Sequence, residues 1–265
     1  MVGYPTAVGT LPNEILMNIF CLFPTTSLLP LTLTSHRIHD VILRIVHNRM
    51  LAAASIPGHQ VILDVVGLQE RCTLGQLRGL YSHFRPIQPE GDRKVWAVHP
   101  INGWRATTLD TFRENTGGLV AQNVDLESYE QFSQLQSAVN VVKIGPRKGI
   151  FQSCITVGEG LTRFWRNWLG EQAKKNWSAS FAQAESQDER LLWSSMNQHT
   201  GLRLRVIERL GSASSSTRIH VDDDNVSYTL QYEELVVRTS RLLLQVEKTL
   251  SEEVNHEGKA MMAIA

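Results

Sequence analysis

Apolar residues near the N-terminus recur at helical spacing in three short runs. Ile15, Leu16, Ile19 and Phe20 follow the i, i+1, i+4, i+5 rhythm of one helical face. Pro12 stands where a helix tolerates proline best, in its first turn, and Glu14 favours the positive end of the helix. Pro24 ends this run, and Thr25-Thr26-Ser27 offers hydroxyl caps for a second one carrying Leu28, Leu29, Leu31 and Leu33. Pro30 falls in its first turn, where a backbone N–H would lack a partner anyway. Ser35 caps a third helix with Ile38, Val41, Ile42, Ile45 and Val46 on one side. Residues 1–10 carry no periodicity and are expected to form a flexible lead.

Past residue 55 the rhythm changes. Ser55-Ile56-Pro57-Gly58 is the best boundary, dividing a helical module at 11–54 from a second region at 60–255. Residues 60–66 are short and β-branched and end at Gly67, the mark of a buried strand. Further strands are expected at 139–144 and 151–157, between glycine and proline turn signals. Leu202, Leu204 and Val206 alternate with polar neighbours, as on a half-exposed strand. Residues 218–221 and 226–233 read as a hairpin around Asp222-Asp223-Asp224-Asn225. Two helical patterns interrupt the strands. One runs through Leu161, Phe164, Trp165, Trp168 and Leu169 toward Lys175, and the other from Leu235 to Leu250. The aromatic pair of the first is read as core-facing, with a ligand platform as the alternative. Residues 179–190 are polar, an exposed insert, and 256–265 are expected to fray. The predicted class is α+β: three N-terminal helices, then a β-rich domain with one or two helices.

Charge changes the picture of the first module. From Met1 through His36 the one charged side chain is Glu14, and the first basic residue is Arg37. A surface helix normally carries a polar face opposite its apolar stripe. A unit of about forty residues rarely buries enough surface alone, and each Leu or Ile left in water forgoes about 1.5–3 kcal/mol. Something must cover the surplus, either a partner or the chain's own second region. The chain as a whole is ordinary, with 42% hydrophobic and 20% charged residues. Its 26 acidic and 26 basic residues balance, leaving no clustered basic face for nucleic acid. The short clusters Arg203, Arg205, Arg209 and Arg163, Arg166 read as solvated sides of a strand or helix.

Candidate chemistry adds little. Cys21, Cys72 and Cys154 form neither a metal spacing nor a disulfide framework, so a reducing compartment, cytoplasmic or nuclear, is expected. Residues 15–33 are apolar, yet Pro24, Pro30 and several hydroxyl residues interrupt them and no Lys or Arg precedes them. They are expected to be neither a signal peptide nor a membrane span. Sequons at Asn176 and Asn225 are read as incidental. The Asp triplet with His220 could mimic a hard-cation site, but an acceptor-rich turn is the plainer reading. His36 and His39 fall on the third helix in solvated or capping roles. No phosphate-cradling glycine motif, nucleophile elbow or zinc spacing is present, so no catalytic residue, cofactor or metal is expected.

Spacing carries more than composition does. Leu11-Pro12-Asn13-Glu14-Ile15-Leu16, then Ile19-Phe20, Pro24, Leu28-Leu29, Leu31 and Ser35-His36-Arg37-Ile38 closely resembles the F-box. That pattern opens Leu-Pro-x-Glu-Leu-Leu, continues Ile-Phe and closes on a Cys-Arg-Arg-Trp-like segment, and no insertion is needed. The chain departs from it at Ser35, where the family often has Cys, at Ile38, where an aromatic residue is common, and at Pro30. The resemblance implies a three-helix module docking on the Skp-type adaptor of an SCF ubiquitin ligase and, through it, on a cullin. It assigns adaptor-facing contacts to Leu11, Pro12, Ile15, Leu16, Ile19, Leu28, Leu31 and Val41. Residues 60–255 would then hold an unknown protein target. This second region, through 201–206, 227–235 and 238–244, is similar to a poorly characterised group of fungal F-box proteins. By analogy with receptors that read glycans, a β-sandwich is implied for its architecture, and the analogy is no evidence for lectin activity. Two alternatives stay open: an adaptor-only complex without ubiquitin transfer, and a small-molecule or glycan-binding β domain.

Overall fold

The computed structural model describes residues 10–56, 58–65, 68–73, 75–87, 95–99, 103–107, 119–145, 150–178, 190–209, 225–255 and 262–263. The N-terminal part is helical: α1 (Asn13–Phe20), α2 (Thr25–Leu28), a 3-10 turn (Leu29–Leu33) and α3 (His36–Ser55). Ser35 caps α3 as its sequence suggests, with extended backbone and its hydroxyl accepting from the Ile38 N–H at 3.2 Å. The second apolar run is an α-helix only to Leu28. Beyond it the chain tightens to 3-10, with Pro30, which has no N–H to donate, near the start of that turn. α3 ends on Ile56, left-handed at φ 38 and ψ 61. That conformation costs about 1–2 kcal/mol in a non-glycine residue. Its side chain is 2% exposed in the main core, which holds it there.

The strands in chain order are β1 (His59–Val65), β2 (Leu68–Cys72), β3 (Gln76–Arg78), β4 (Tyr81–Phe84), β5 (Pro86–Ile87), β6 (Val95–His99), β7 (Gly103–Thr107), β8 (Val120–Leu126), β9 (Phe132–Ile144) and β10 (Ile150–Trp165). Helix α4 (Arg166–Ser178) follows, then β11 (Leu191–Trp193), β12 (Thr200–Arg209), β13 (Val226–Arg238), helix α5 (Thr239–Asn255) and β14 (Met262–Ala263). Two antiparallel sheets result. The first runs β14-β10-β9-β1-β2-β5, the second β11-β12-β13-β4-β3 with β8 also paired to β13, and β6 and β7 pair separately. Alternation sets the inner faces. Val61, Leu63, Leu135, Val139 and Val141 of the first sheet share one core with Leu202, Leu204, Leu230, Leu235 and Val237 of the second. Leu169 and Ala173 of α4 and Leu242 of α5 join it.

Two helix boundaries differ from the sequence pattern. Leu161, Phe164 and Trp165 lie in β10, and the helix begins only at Arg166. The apolar spacing straddles a strand–helix junction. Residues 161–165 pair with 132–136 of β9, and the exposed Trp165 ring packs 5.3 Å from its cross-strand partner Phe132. Trp168, by contrast, packs against the core. Similarly, residues 235–238 continue β13, and the helix starts at Thr239. Leu235 and Val237 have strand partners on both sides, in β12 and β4, and tertiary pairing overrides their helical spacing. The first strand of the expected 218–233 hairpin, the Asp triplet, residues 1–9, 179–189 and most of the tail lie outside the described residues. Met262–Ala263 of that tail pairs with Ile150–Phe151.

Candidate partner-binding surface

The N-terminal helices have a core of their own. Leu16, Phe20, Leu28, Val41, Ile42 and Ile45 pack together, with Leu11, Met17, Leu31, Ile38 and Val46 against them. Two arginines of α3, twelve residues or about 18 Å of helix apart, fasten both ends of α1. Arg37 donates from Nε to Asn13 Oδ1 at 2.8 Å and from its terminal nitrogen to the Leu11 carbonyl. Arg49 donates to the carbonyls of Cys21 at 3.0 Å and Phe23 at 2.7 Å, closing the turn that follows α1. The side of α1 away from α3 is thereby held rigidly toward solvent.

That side is apolar. Ile15 is 45% exposed and Ile19 39%, one turn apart on α1, and Leu22 at 84% and Phe23 at 45% stand open in the turn that follows it. Leu29 and Leu33 of the 3-10 turn are also open, the latter at 90%. Glu14 is the one charge within α1. Scattered exposed leucines are normal on a protein surface, but a group this concentrated on so short a module marks a surface meant to be covered.

The sequence-assigned contacts therefore divide. Pro12, Ile15 and Ile19 are exposed, and Leu11 and Leu31 are half-buried at the rim. Leu16, Leu28 and Val41 are buried in the module's own core, where they position the exposed group. The sequence reading placed Leu29 and Leu33 in the second apolar run but assigned no partner contact to them, nor to Leu22 and Phe23 in the turn after α1. Arg49 escaped it, because its partners are carbonyls and a carboxylate far away in sequence.

The chain's own second region covers a different part of the module. α2 has no cap of its own, since Pro24 precedes it. Glu247 of α5 supplies one from 222 residues away. Its carboxylate accepts from the Thr25 N–H at 2.9 Å and the Thr25 hydroxyl at 2.6 Å, while Arg49 lies 3.1 Å from the same carboxylate. The surplus on α1 stays uncovered by these contacts.

Residues 8–50 match the family model described as F-box-like. The chain thus carries an F-box-like domain, followed by a strand-rich domain of two antiparallel sheets with a few helices. No curated protein matches the chain, and no solved structure matches it. Among the described residues no helix is long and apolar enough to cross a membrane.

Proposed function

We propose that this chain is a substrate receptor of an SCF-type cullin–RING ubiquitin ligase, acting in the cytoplasm or nucleus. The F-box-like helices hold the Skp-type adaptor, the adaptor brings a cullin, and the strand-rich domain holds a protein target. The observation that carries this reading is the exposed apolar group Ile15, Ile19, Leu22 and Phe23 inside a segment matching the F-box-like model. Adaptor contact is made by Leu11, Pro12, Ile15, Ile19 and Leu31, with Leu16, Leu28 and Val41 supporting them from behind. A few anchors in a desolvated centre dominate such interfaces. The chain's contribution to chemistry is proximity: it raises the effective concentration of a target near enzymes that others supply.

Co-purification tests this. The wild-type chain is expected to recover the Skp-type adaptor and a cullin. Leu11→Ala with Pro12→Ala is expected to abolish recovery, and Ile15→Glu with Ile19→Glu to do the same without loss of the helical signal by circular dichroism. The second pair replaces side chains that lie outside the module's core, so it leaves that core intact. Undiminished adaptor recovery by both double variants would refute the assignment. Adaptor without cullin would instead place the chain in a non-ligase complex.

A further inference from the structure

The outer face of the second sheet carries charge in an unusual arrangement. Along β13 the register with β12 slips, so that Arg203 faces Glu234 while Leu204 faces Tyr232, and Glu233 is the extra residue of a bulge. The bulge turns two consecutive glutamates toward the same face. It lies where the other edge of β13 changes neighbour, from β8, which ends its pairing at Tyr232, to β4, which begins at Leu235. Glu234 accepts from Arg203 at 2.5 Å and Arg78 at 3.4 Å, and the His83 ring lies 3.2 Å away. Glu233 receives Arg205 at 2.7 Å and Arg190 at 3.3 Å.

Among the described residues, four guanidinium charges thus converge on two carboxylates, a surplus of two positive charges within this cluster on a chain whose net charge is zero. The glutamates are sunk, at 15% and 18% side-chain exposure, whereas Arg78 at 57% and Arg205 at 48% stand up into solvent. The sequence reading of Arg203 as a solvated arginine does not hold: its side chain is 13% exposed, and its buried Nε has no hydrogen-bond partner. Beside the charges lies an apolar step. The Trp193 ring lies over Gly201, where an added Cβ would come within 2.8 Å of it, and 5.2 Å from the Tyr81 ring.

We infer that this face binds an acidic peptide segment, carboxylates on Arg78 and Arg205 and an apolar side chain on Tyr81 and Trp193. Charge complementarity argues for the carboxylates, since each arginine uses only part of its five-donor fork on the glutamates. A nucleic acid fits poorly. A phosphate backbone needs an unbroken cationic track, and here two carboxylates sit in the middle of it. The inference deepens the receptor reading by giving the target's chemistry, and it is tested without the adaptor, so either can fail while the other stands.

The test pans a displayed random-peptide library against the full chain and measures selected peptides by fluorescence anisotropy. Peptides enriched in Asp and Glu beside an apolar residue are expected. Glutamine-for-glutamate copies, and the Arg78→Glu, Arg205→Glu double variant, are expected to bind at least about tenfold more weakly, with added salt acting in the same direction. Arg78→Gln with Arg205→Gln removes the two exposed charges without adding like charge beside the sunken glutamates, so it should melt close to the wild type and give an intermediate affinity. Selection of no peptide, selection without acidic enrichment, or equal binding by the variants would each overturn the inference. Stronger displacement by a single-stranded oligonucleotide than by the acidic peptide would overturn it too.

Discussion

At the scale of single residues, the three cysteines show how position decides chemistry. Cys21 is exposed in the turn after α1, Cys154 is half-buried and Cys72 is 6% exposed in the main core. Burial pushes the Cys72 thiol up to about 12, and the charge of Glu70 adds to this, against a hydrogen bond with the Leu63 backbone. Burial also raises Cys154. Only a thiolate attacks an alkylating reagent. At pH of about 8, iodoacetamide followed by mass spectrometry should label Cys21 first and Cys154 more slowly. Cys72 should react only once denaturant opens the core. Labelling of Cys72 at the rate of Cys21 in the native protein would show that the strand-rich core is not closed.

Among the elements, the β9–β10 hairpin of the first sheet brings β10 close against the second. Its register shifts between Thr156 and Gly158, and Gly160 follows on the same strand. A Cβ at Gly160 would collide with the Ser194 carbonyl at the end of β11, and one at Gly158 would press on the Thr200 side chain at 2.8 Å. Ser194 itself is fixed there, its N–H and its hydroxyl both donating to the Thr200 carbonyl, at 3.0 and 2.9 Å. The absence of a side chain is thus what lets β10 pass so close to the second sheet. Gly160→Ala is expected to destabilise by about 1–3 kcal/mol, the usual cost of overfilling a packed site, read as a lower urea midpoint. An unchanged midpoint would mean that the sheets are not in contact at this point. These long strands were legible only in pieces. Residues 202–206 announced themselves by alternation, because one face is buried, and 139–144 by the glycine and proline turn signals beside them. Leu161 to Trp165 did not, since their spacing fits a helix and their strand partners, residues 132–136, lie far back in the chain. The candidate surface was legible in its pattern of apolar residues. Which of those residues point outward was not, because that depends on how Arg37 and Arg49 seat α1 on α3.

For the whole molecule, the question is whether the F-box-like helices and the strand-rich domain behave as one body. Among the described residues, α3 packs against α5, Ile56 ends α3 inside the main core, and the Thr25–Arg49–Glu247 clasp anchors α2 to α5. The clasp is largely withdrawn from water, with Arg49 and Glu247 at 20% and 18% side-chain exposure. Removing the carboxylate leaves a part-buried guanidinium without its counter-charge and the first N–H of α2 without its cap, which should cost about 2–3 kcal/mol. The helical core is the smaller of the two, so this loss should fall on it rather than on the sheets. Wild-type protein is therefore expected to unfold in a single calorimetric transition, and Glu247→Ala to split it. The helices of the F-box-like domain would melt first, and tryptophan fluorescence from the strand-rich domain would report the second step. Glu247→Gln keeps an acceptor for Thr25 but loses the charge facing Arg49, and should fall between the two. A single unshifted transition in Glu247→Ala would show that the other contacts carry the coupling. Under the receptor reading, the split has a functional counterpart. A target held by the sheets stays at a fixed position relative to the adaptor surface on α1 only while Glu247 keeps α2 and α5 together.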